Sequence, residues 1–311
     1  MKVDHRRLFS TYSIVARDSE TGQLGVAVQT HQMTVGWVVP WMLPGVGAMA
    51  TQSLANVSFG PMALAMLRER VPAAEVIAAL VASDPDAKRR QVAVVDAEER
   101  AAAWTGDGCI PEAGHHVGEG YSVQANMMTN ATVVQAMADA FEGASGDLAQ
   151  RMMAALHAAQ AEGGDIRGMQ SAALRVVPGD AQKPAWSVDY DLRVDEHAAP
   201  VDELARLVRL RHAQLVDQKG YELFEQKQRD QALDQWARAR DEAPELEELA
   251  FWQAMTLADE PGDVTAALEI LQPMLARDER REHWIELIRR LESCGLLERA
   301  GAASDLIDAL D

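Results

Sequence analysis

The order of apolar patterns along this 311-residue chain predicts an α+β fold, with helices covering sheets, followed by a small all-α region. Three observations carry that expectation. Residues 11–60 hold three short strand-like runs joined by tight turns. Residues 61–194 then alternate between helical and strand patterns. After Asp195 the chain is nearly all helix-forming, behind a linker at Ala198, Ala199 and Pro200.

The elements follow in order. Residues 11–18 read as the first strand, Thr21-Gly22 as a hairpin turn, residues 25–31 as the second strand and residues 45–53 as the third. Pro40 and Pro44 bracket a loop that carries Trp37 and Trp41. Residues 61–82 read as one helix. Pro61 sits near its start, Leu64, Leu67, Val71, Val76, Ile77 and Leu80 recur along it, and Asp84-Pro85 closes it. Residues 90–105 look like a second hairpin, and a glycine-rich stretch at 106–120 precedes a strand at 121–127. Residues 131–161 carry helical periodicity with a break near Gly143 and Gly146, and Gly163-Gly164 stops the second half. Strands return at 170–178 and 186–194. A four-layer α-β-β-α sandwich is one packing of this order, although periodicity alone does not select it. The expected division is a leader at 1–10, a sandwich at 11–197 and a helical domain at 201–311.

In that last domain, Gly220, Ala232, Trp236, Ala239 and Pro244 match the spacing of a tetratricopeptide unit, a helix-turn-helix of about 34 residues. Ala232-Leu233 recurs as Ala267-Leu268, and Trp236 is answered by Leu271. The second copy lacks the small residue and the proline, so an unrelated helical bundle also fits. Five or six helices are expected. Trp236, Phe251, Trp252 and Trp284 sit at helical spacings and serve either as core or as a groove for a peptide or partner helix.

Composition removes several function classes. The net charge is −19, with −11 in residues 201–311 and −8 in residues 1–200. No basic stripe exists, which argues against nucleic acid and against anionic membrane surfaces. No run of about 18 apolar residues is present to form a transmembrane helix. The first ten residues are polar and basic, and the apolar stretch after them is broken too soon by Arg17 and Asp18 for a signal peptide. Cys109 and Cys294 lie far apart and read as reduced thiols of a cytoplasmic protein. The pair His115-His116 near Glu112 and Glu119 lacks the spacing of a metal shell, so no metal or other cofactor is expected.

A hydroxyl residue opens the first strand. Threonine is a weak nucleophile at neutral pH, but cleavage of the preceding Ser10–Thr11 bond would free an α-amine of pKa roughly 8 to act as its base. Threonines also begin many strands for their β-propensity alone.

From Thr11 to about Arg211 the chain resembles domain-of-unknown-function family 1028, placed in the N-terminal-nucleophile (Ntn) hydrolase superfamily. The matching stretches are 11–18, 25–29, Val39-Pro40-Trp41, 45–52, Arg90-Gln91-Val92, Thr105-Gly106, Ala113-Gly114-His115, Gln124-Ala125-Asn126-Met127 and 163–173. The resemblance implies an α-β-β-α sandwich, amide hydrolysis by Thr11 and association into a homo-oligomer. The helical tail resembles the extension of some members. Members often begin almost at the threonine, whereas ten residues precede it here.

On that resemblance, Gln29 would orient the Thr11 amine and His31 would shuttle a proton. His31 is otherwise an exposed loop histidine. Gln124 and Asn126 share one strand face and form either an oxyanion hole or a structural hydrogen-bond network. Ser53 and Asn56 either bind substrate or cap a loop. Asp165, Arg167 and Gln170 line a glycine-bounded turn as substrate contacts, and Ser171 polarises the amine; Asp165 and Arg167 also fit a simple pair that fixes the turn. No lysine occupies the third strand, unlike the threonine-type proteases of the superfamily. The expected function is an Ntn amidohydrolase acting on a small polar or peptide-like amide. The competing expectation is a non-catalytic binding protein whose helical domain recruits a protein or peptide partner.

Overall fold

The computed structural model describes residues 8–9, 11–260, 262–277 and 279–310. Of the expected leader, residues 1–7 and 10 therefore lie outside the described residues. The chain divides into two units, Met1–Val208 and Arg209–Asp311.

The first unit is built on a hairpin of β2 (Thr11–Arg17) and β3 (Leu24–Thr30). Its turn is fixed by the Asp18 carboxylate, which accepts the amides of Glu20 and Thr21 at 3.1 and 2.8 Å, and by Gly22 at φ +74°. That turn sets the register Thr11 to Thr30. Around the hairpin a sheet runs β11 (Tyr190–Val194), β10 (Ser171–Val177), β3, β2, β9 (Tyr121–Asn126) and β8 (Gly114–Gly118), antiparallel at every pair. A second antiparallel sheet runs β1 (Leu8–Phe9), β5 (Gly47–Leu54), β6 (Arg90–Asp96) and β7 (Ala101–Thr105). β4 (Pro40–Leu43) covers the start of β5, on residues 47–50.

Strand alternation assigns the faces. Val15, Val26 and Val28 of one sheet meet Ala48, Ala50, Ala93 and Val95 of the other in a shared apolar core. Met49, Val92 and Val94 point the opposite way, onto Phe59, Leu67, Val76 and Leu80 of α1 (Phe59–Arg68) and α2 (Ala73–Ser83). On the hairpin sheet's other face, Tyr12 donates its hydroxyl to Gln160 of α4 (Leu148–Ala161) at 3.0 Å. Beside α4 packs α3 (Val133–Gly143), which also covers β9. Each fully buried aliphatic side chain contributes about 1.5–3 kcal/mol here.

Three local expectations change. The single helix over 61–82 is two, because Pro72 cannot continue a helical ladder and instead caps α2, after Arg70 turns to φ +60°. The stretch between Pro40 and Pro44 is β4 and not a loop; Pro40 sits at its first position, where a missing N–H is tolerated. The glycine-rich stretch contains β8, paired along β9.

The chain continues through α5 (Pro200–Glu225), α6 (Arg229–Glu242), α7 (Glu247–Asp259), α8 (Val264–Leu275), α9 (Arg281–Ser293) and α10 (Ala302–Asp308). The core of the second unit centres on Trp236, with Phe251, Ala232, Ala267 and Leu271 also fully buried. The Trp236 ring lies 4.9 Å from Tyr221 and 5.2 Å from Phe224. A Cβ at Gly220 would stand 2.3 Å from Trp236 Cδ1, which is why only glycine lets the indole approach. Trp252, by contrast, is 42% exposed. Gln253 is fully buried between two charges: its Nε2 donates to Asp217 at 2.6 Å and its Oε1 accepts from Arg240. Burial pushes the Asp217 carboxyl up and the Arg240 guanidinium down from their ordinary values.

Candidate active site

At one end of the first unit the interior between the sheets changes from apolar to polar. Asn126 pairs with Thr11, Thr11 with Thr30, and Thr30 with Ser171, so four polar side chains cross β9, β2, β3 and β10 in one row on the face toward the other sheet. One step inward, on the same face, Ser13 pairs with Gln124. The facing sheet presents Gln52 and Gln91, themselves paired across β5 and β6.

These side chains form a directed chain of hydrogen bonds. Ser122 donates to Gln124 Oε1 at 3.0 Å, Gln124 Nε2 to Ser13 Oγ at 2.5 Å, and Ser13 to Gln52 Oε1 at 2.6 Å. Gln52 Nε2 donates to Gln91 Oε1 at 2.7 Å, and Gln91 Nε2 to Thr105 at 2.9 Å and to Ala125 O at 2.8 Å. Thr105 Oγ1 lies 2.9 Å from His115 Nδ1, where burial and then the neighbouring His116 hold the imidazole below its usual pKa. Apart from that end, the chain holds only amides and hydroxyls. Buried amides are tolerated when joined in this way and costly when not.

Thr11 sits inside this network. Its carbonyl accepts Gln52 Nε2 at 3.2 Å and Asn126 Nδ2 at 3.4 Å. Its hydroxyl is fully buried and, among the described residues, has no hydrogen-bond partner. Two strands leave this end through left-handed residues, Ser53 at φ +64° after Gln52 and Met127 at φ +58° after Asn126. Such conformations cost roughly 1–3 kcal/mol each and gather at functional sites.

The other expected site residues sort by face and partner. Gln29 does not reach the Thr11 amine. It pairs with Tyr12 and Ala172, on the helix-facing side of the sheet, because a register of Thr11 to Thr30 sends its neighbour the other way. There it is fully buried with neither amide atom bonded among the described residues, beside Tyr12, whose phenol burial pushes far above its usual range. His31 lies just beyond β3; its amide donates to Asp165 at 3.1 Å and its Nδ1 is 3.2 Å from Met169 O. Asp165 is held by Arg167 through Nε at 3.1 Å and Nη2 at 2.8 Å, so this pair fixes the turn. Gly163, Gly164 and Gly168 all take positive φ in that turn. The Gln170 amide donates to Thr30 O at 3.1 Å. Ser171 shares the Thr11 face two strands away, and its hydroxyl ties down the following loop by donating to Gln32 O and accepting from Val35 N at 3.2 Å. Gln124 is committed to Ser13 and Ser122, one step inward. Asn56 is occupied by Asp84 at 3.0 Å and by the amide of Ser58 at 3.2 Å. Ser53 makes the last β5 pair with β6 and lies beside Cys109, whose thiol is pushed up by burial.

Sequence reasoning passed over Ser13, Gln52, Gln91 and Thr105. The signal for Ser13 was alternation from Thr11. Gln52 and Gln91 stood within stretches that carry the family resemblance.

The model of the family of unknown function DUF1028 matches residues 11–204. The crystal structure of protein SPO2555 from Silicibacter pomeroyi, of that same family, is 30% identical, superimposes with a TM-score of 0.58, and is matched over 64% of this chain and 88% of that one. Among curated proteins, none matches significantly. The chain belongs to the DUF1028 family.

Proposed function

We propose that this DUF1028 member is an Ntn amidohydrolase that cleaves an amide bond in a small polar or peptide-like substrate, with Thr11 as nucleophile. The observation that carries the reading is the Thr11 hydroxyl: buried, without a hydrogen-bond partner among the described residues, and on a residue whose own carbonyl is clamped by two side-chain amides. An unpaired buried hydroxyl costs roughly 1–3 kcal/mol, so its presence calls for a role. The two facing sheets with helices outside support assigning the α-β-β-α Ntn sandwich to residues 11–197. The matched burial of Ala232 and Trp236 with Ala267 and Leu271 supports a tetratricopeptide-like domain at 201–311.

In the uncleaved chain the Thr11 nitrogen is an amide and accepts no proton. Once the preceding bond is cut, the free α-amine takes the hydroxyl proton as Oγ1 attacks the substrate carbonyl carbon. Asn126, opposite Thr11 on the same face, gives up its long 3.4 Å bond to the Thr11 carbonyl and donates to the oxyanion. The C–N bond then breaks, the leaving nitrogen takes the proton from the ammonium, and an ester on Oγ1 is left. Water, deprotonated by the same amine, attacks the ester carbon; the C–Oγ1 bond breaks, the carboxylic acid leaves, and the ammonium returns the proton to Oγ1. The full reading is a cytoplasmic homo-oligomer whose helical domain engages a protein or peptide.

A second reading has one observation in its favour. Leu8–Phe9 is already paired as a strand, so a chain that keeps its leader is a masked, non-catalytic binding protein. Intact mass and N-terminal sequencing of untagged protein separate the two. Loss of residues 1–10 in the wild type, its absence in Thr11→Ala, and amide turnover only in the former are the expected results. Turnover that survives Thr11→Ala ends the nucleophile assignment.

A further inference from the structure

We propose that the edge of β5 at Ser53 and Leu54 is a strand-addition site for the acyl side of an extended, apolar peptide, and that the leader fills it in cis until it is cut away. The substrate class rests on Thr11 being the nucleophile; the strand addition does not.

The free side of β5 is covered in two pieces. β4 pairs with residues 47–50, the amide of Thr51 donates to Val39 O at 3.2 Å, and β1 pairs Phe9 with Ser53 and Leu8 with Leu54. β1 belongs to one sheet and β2 to the other, with a single residue between them. The bond whose cleavage would free the Thr11 amine therefore lies between a strand of one sheet and a strand of the other. A two-residue strand is held mainly by its covalent tether, which supplies an effective concentration of roughly millimolar. Cutting before Thr11 removes the tether and bares the main-chain groups of Ser53 and Leu54 next to the threonine. An extended peptide bound there as β1 is bound presents its next carbonyl to Thr11.

The surroundings specify an apolar ligand. Loops that leave the same ends of β3, β5 and β7 expose Met33 (54%), Val57 (43%) and Ile110 (37%), and the turn before β10 exposes Ile166 (64%). Ile110 and Ile166 flank one backbone: Ile110 O accepts Met127 N at 3.3 Å, and Met127 O accepts Ile166 N at 3.2 Å. Large apolar side chains gathered at one end mark a contact surface. The cis occupant is itself Leu-Phe.

The test uses a fluorescein-labelled synthetic peptide of residues 1–10, read by anisotropy. Its targets are the form that begins at residue 11 and the full chain carrying Thr11→Ala. A third target, the full chain with Thr11→Ala and Phe9→Pro, opens the edge without truncation and covers the case in which the shortened form fails to fold. Binding with a Kd of roughly a few hundred micromolar to the two opened forms, at least about tenfold weaker to the closed one, is the expected result. Antiparallel pairing alternates, so N-methylation at residue 8 or at residue 9, but not at both positions alike, should weaken binding by about tenfold or more. Equal binding to open and closed forms, or indifference to N-methylation, overturns the proposal. Amide turnover on the same samples keeps the two ideas apart. Peptide binding without Thr11-dependent turnover keeps the strand site and removes the nucleophile. Turnover of small polar amides without peptide binding does the reverse.

Discussion

Each unit buries a polar cluster, and the two are of opposite kinds. In the first unit Ser13, Gln52, Gln91, Gln124 and Asn126 join one another and the Thr11 carbonyl through amides and hydroxyls. In the second, Gln253 bridges the charges of Asp217 and Arg240. A neutral network has no Born cost, fixes geometry through many moderate bonds, and does not respond to pH within itself. A charged bridge concentrates its energy in few contacts and carries a desolvation cost that titrates. The difference suits their places. On the function proposed above, a nucleophile whose amine must cycle between base and acid is better served by neighbours whose charge never changes.

The largest expected effect comes from breaking the neutral network at its busiest member. Gln91 accepts from Gln52 and Asn126 and donates to Thr105, Gly114 O and Ala125 O. Gln91→Ala opens a cavity and strands several of these groups, for a loss of about 3 kcal/mol or more in the first unit. Urea unfolding followed by hydrogen exchange on β2, β5 and β6 measures it. A loss under about 1 kcal/mol would mean that the amides are replaceable by water and do not hold the site.

Thr11→Val sharpens the comparison in the other direction. The hydroxyl is buried without a partner among the described residues, so a methyl in its place should raise stability by about 1 kcal/mol while leader removal and turnover disappear. A fall in the unfolding midpoint would show that the hydroxyl has a bonded role in the folded chain.

What could be read in advance divides along the same line. The hairpin, the helix break near Gly143 and Gly146, and the buried Trp236 followed from local turn chemistry and periodicity, and each is present. Thr11 and Asn126 were singled out separately, and the register brings them opposite one another. Gln29 shows the limit. A one-residue change of register would have put it beside Thr11, and register is set by a turn whose exact hydrogen bonds no alternation reveals. Gln52 and Gln91 escaped notice for a different reason: across the gap between sheets Gln52 reaches Ser13 and Thr11 of β2 and Gln91 reaches Ala125 and Asn126 of β9, contacts of residues about 35 to 40 positions apart, which no local pattern encodes.

The smallest effect tests the charged side. Burial raises the folded-state pKa of Asp217 above its ordinary 3.8, so between the two values the folded state holds more protons than the unfolded one. The contribution of this group therefore falls as pH rises through that window. It is fully present below 3.8 and gone above the raised value. His115, at the end of the neutral network, has the opposite slope. Its folded pKa lies below 6.5, so its contribution is present above 6.5 and lost as pH falls through the window beneath. Asp217→Asn keeps an acceptor for Gln253 and leaves Arg240 the attraction of Asp241, so stability at neutral pH should move by less than about 1 kcal/mol. The slope just above pH 3.8 should flatten in α5 to α7 and stay unchanged in the first unit. Hydrogen exchange across that pH range, compared between wild type and variant, reads both units at once. A wild-type slope in the variant would assign the titration to another group and would leave the bridge electrostatically silent.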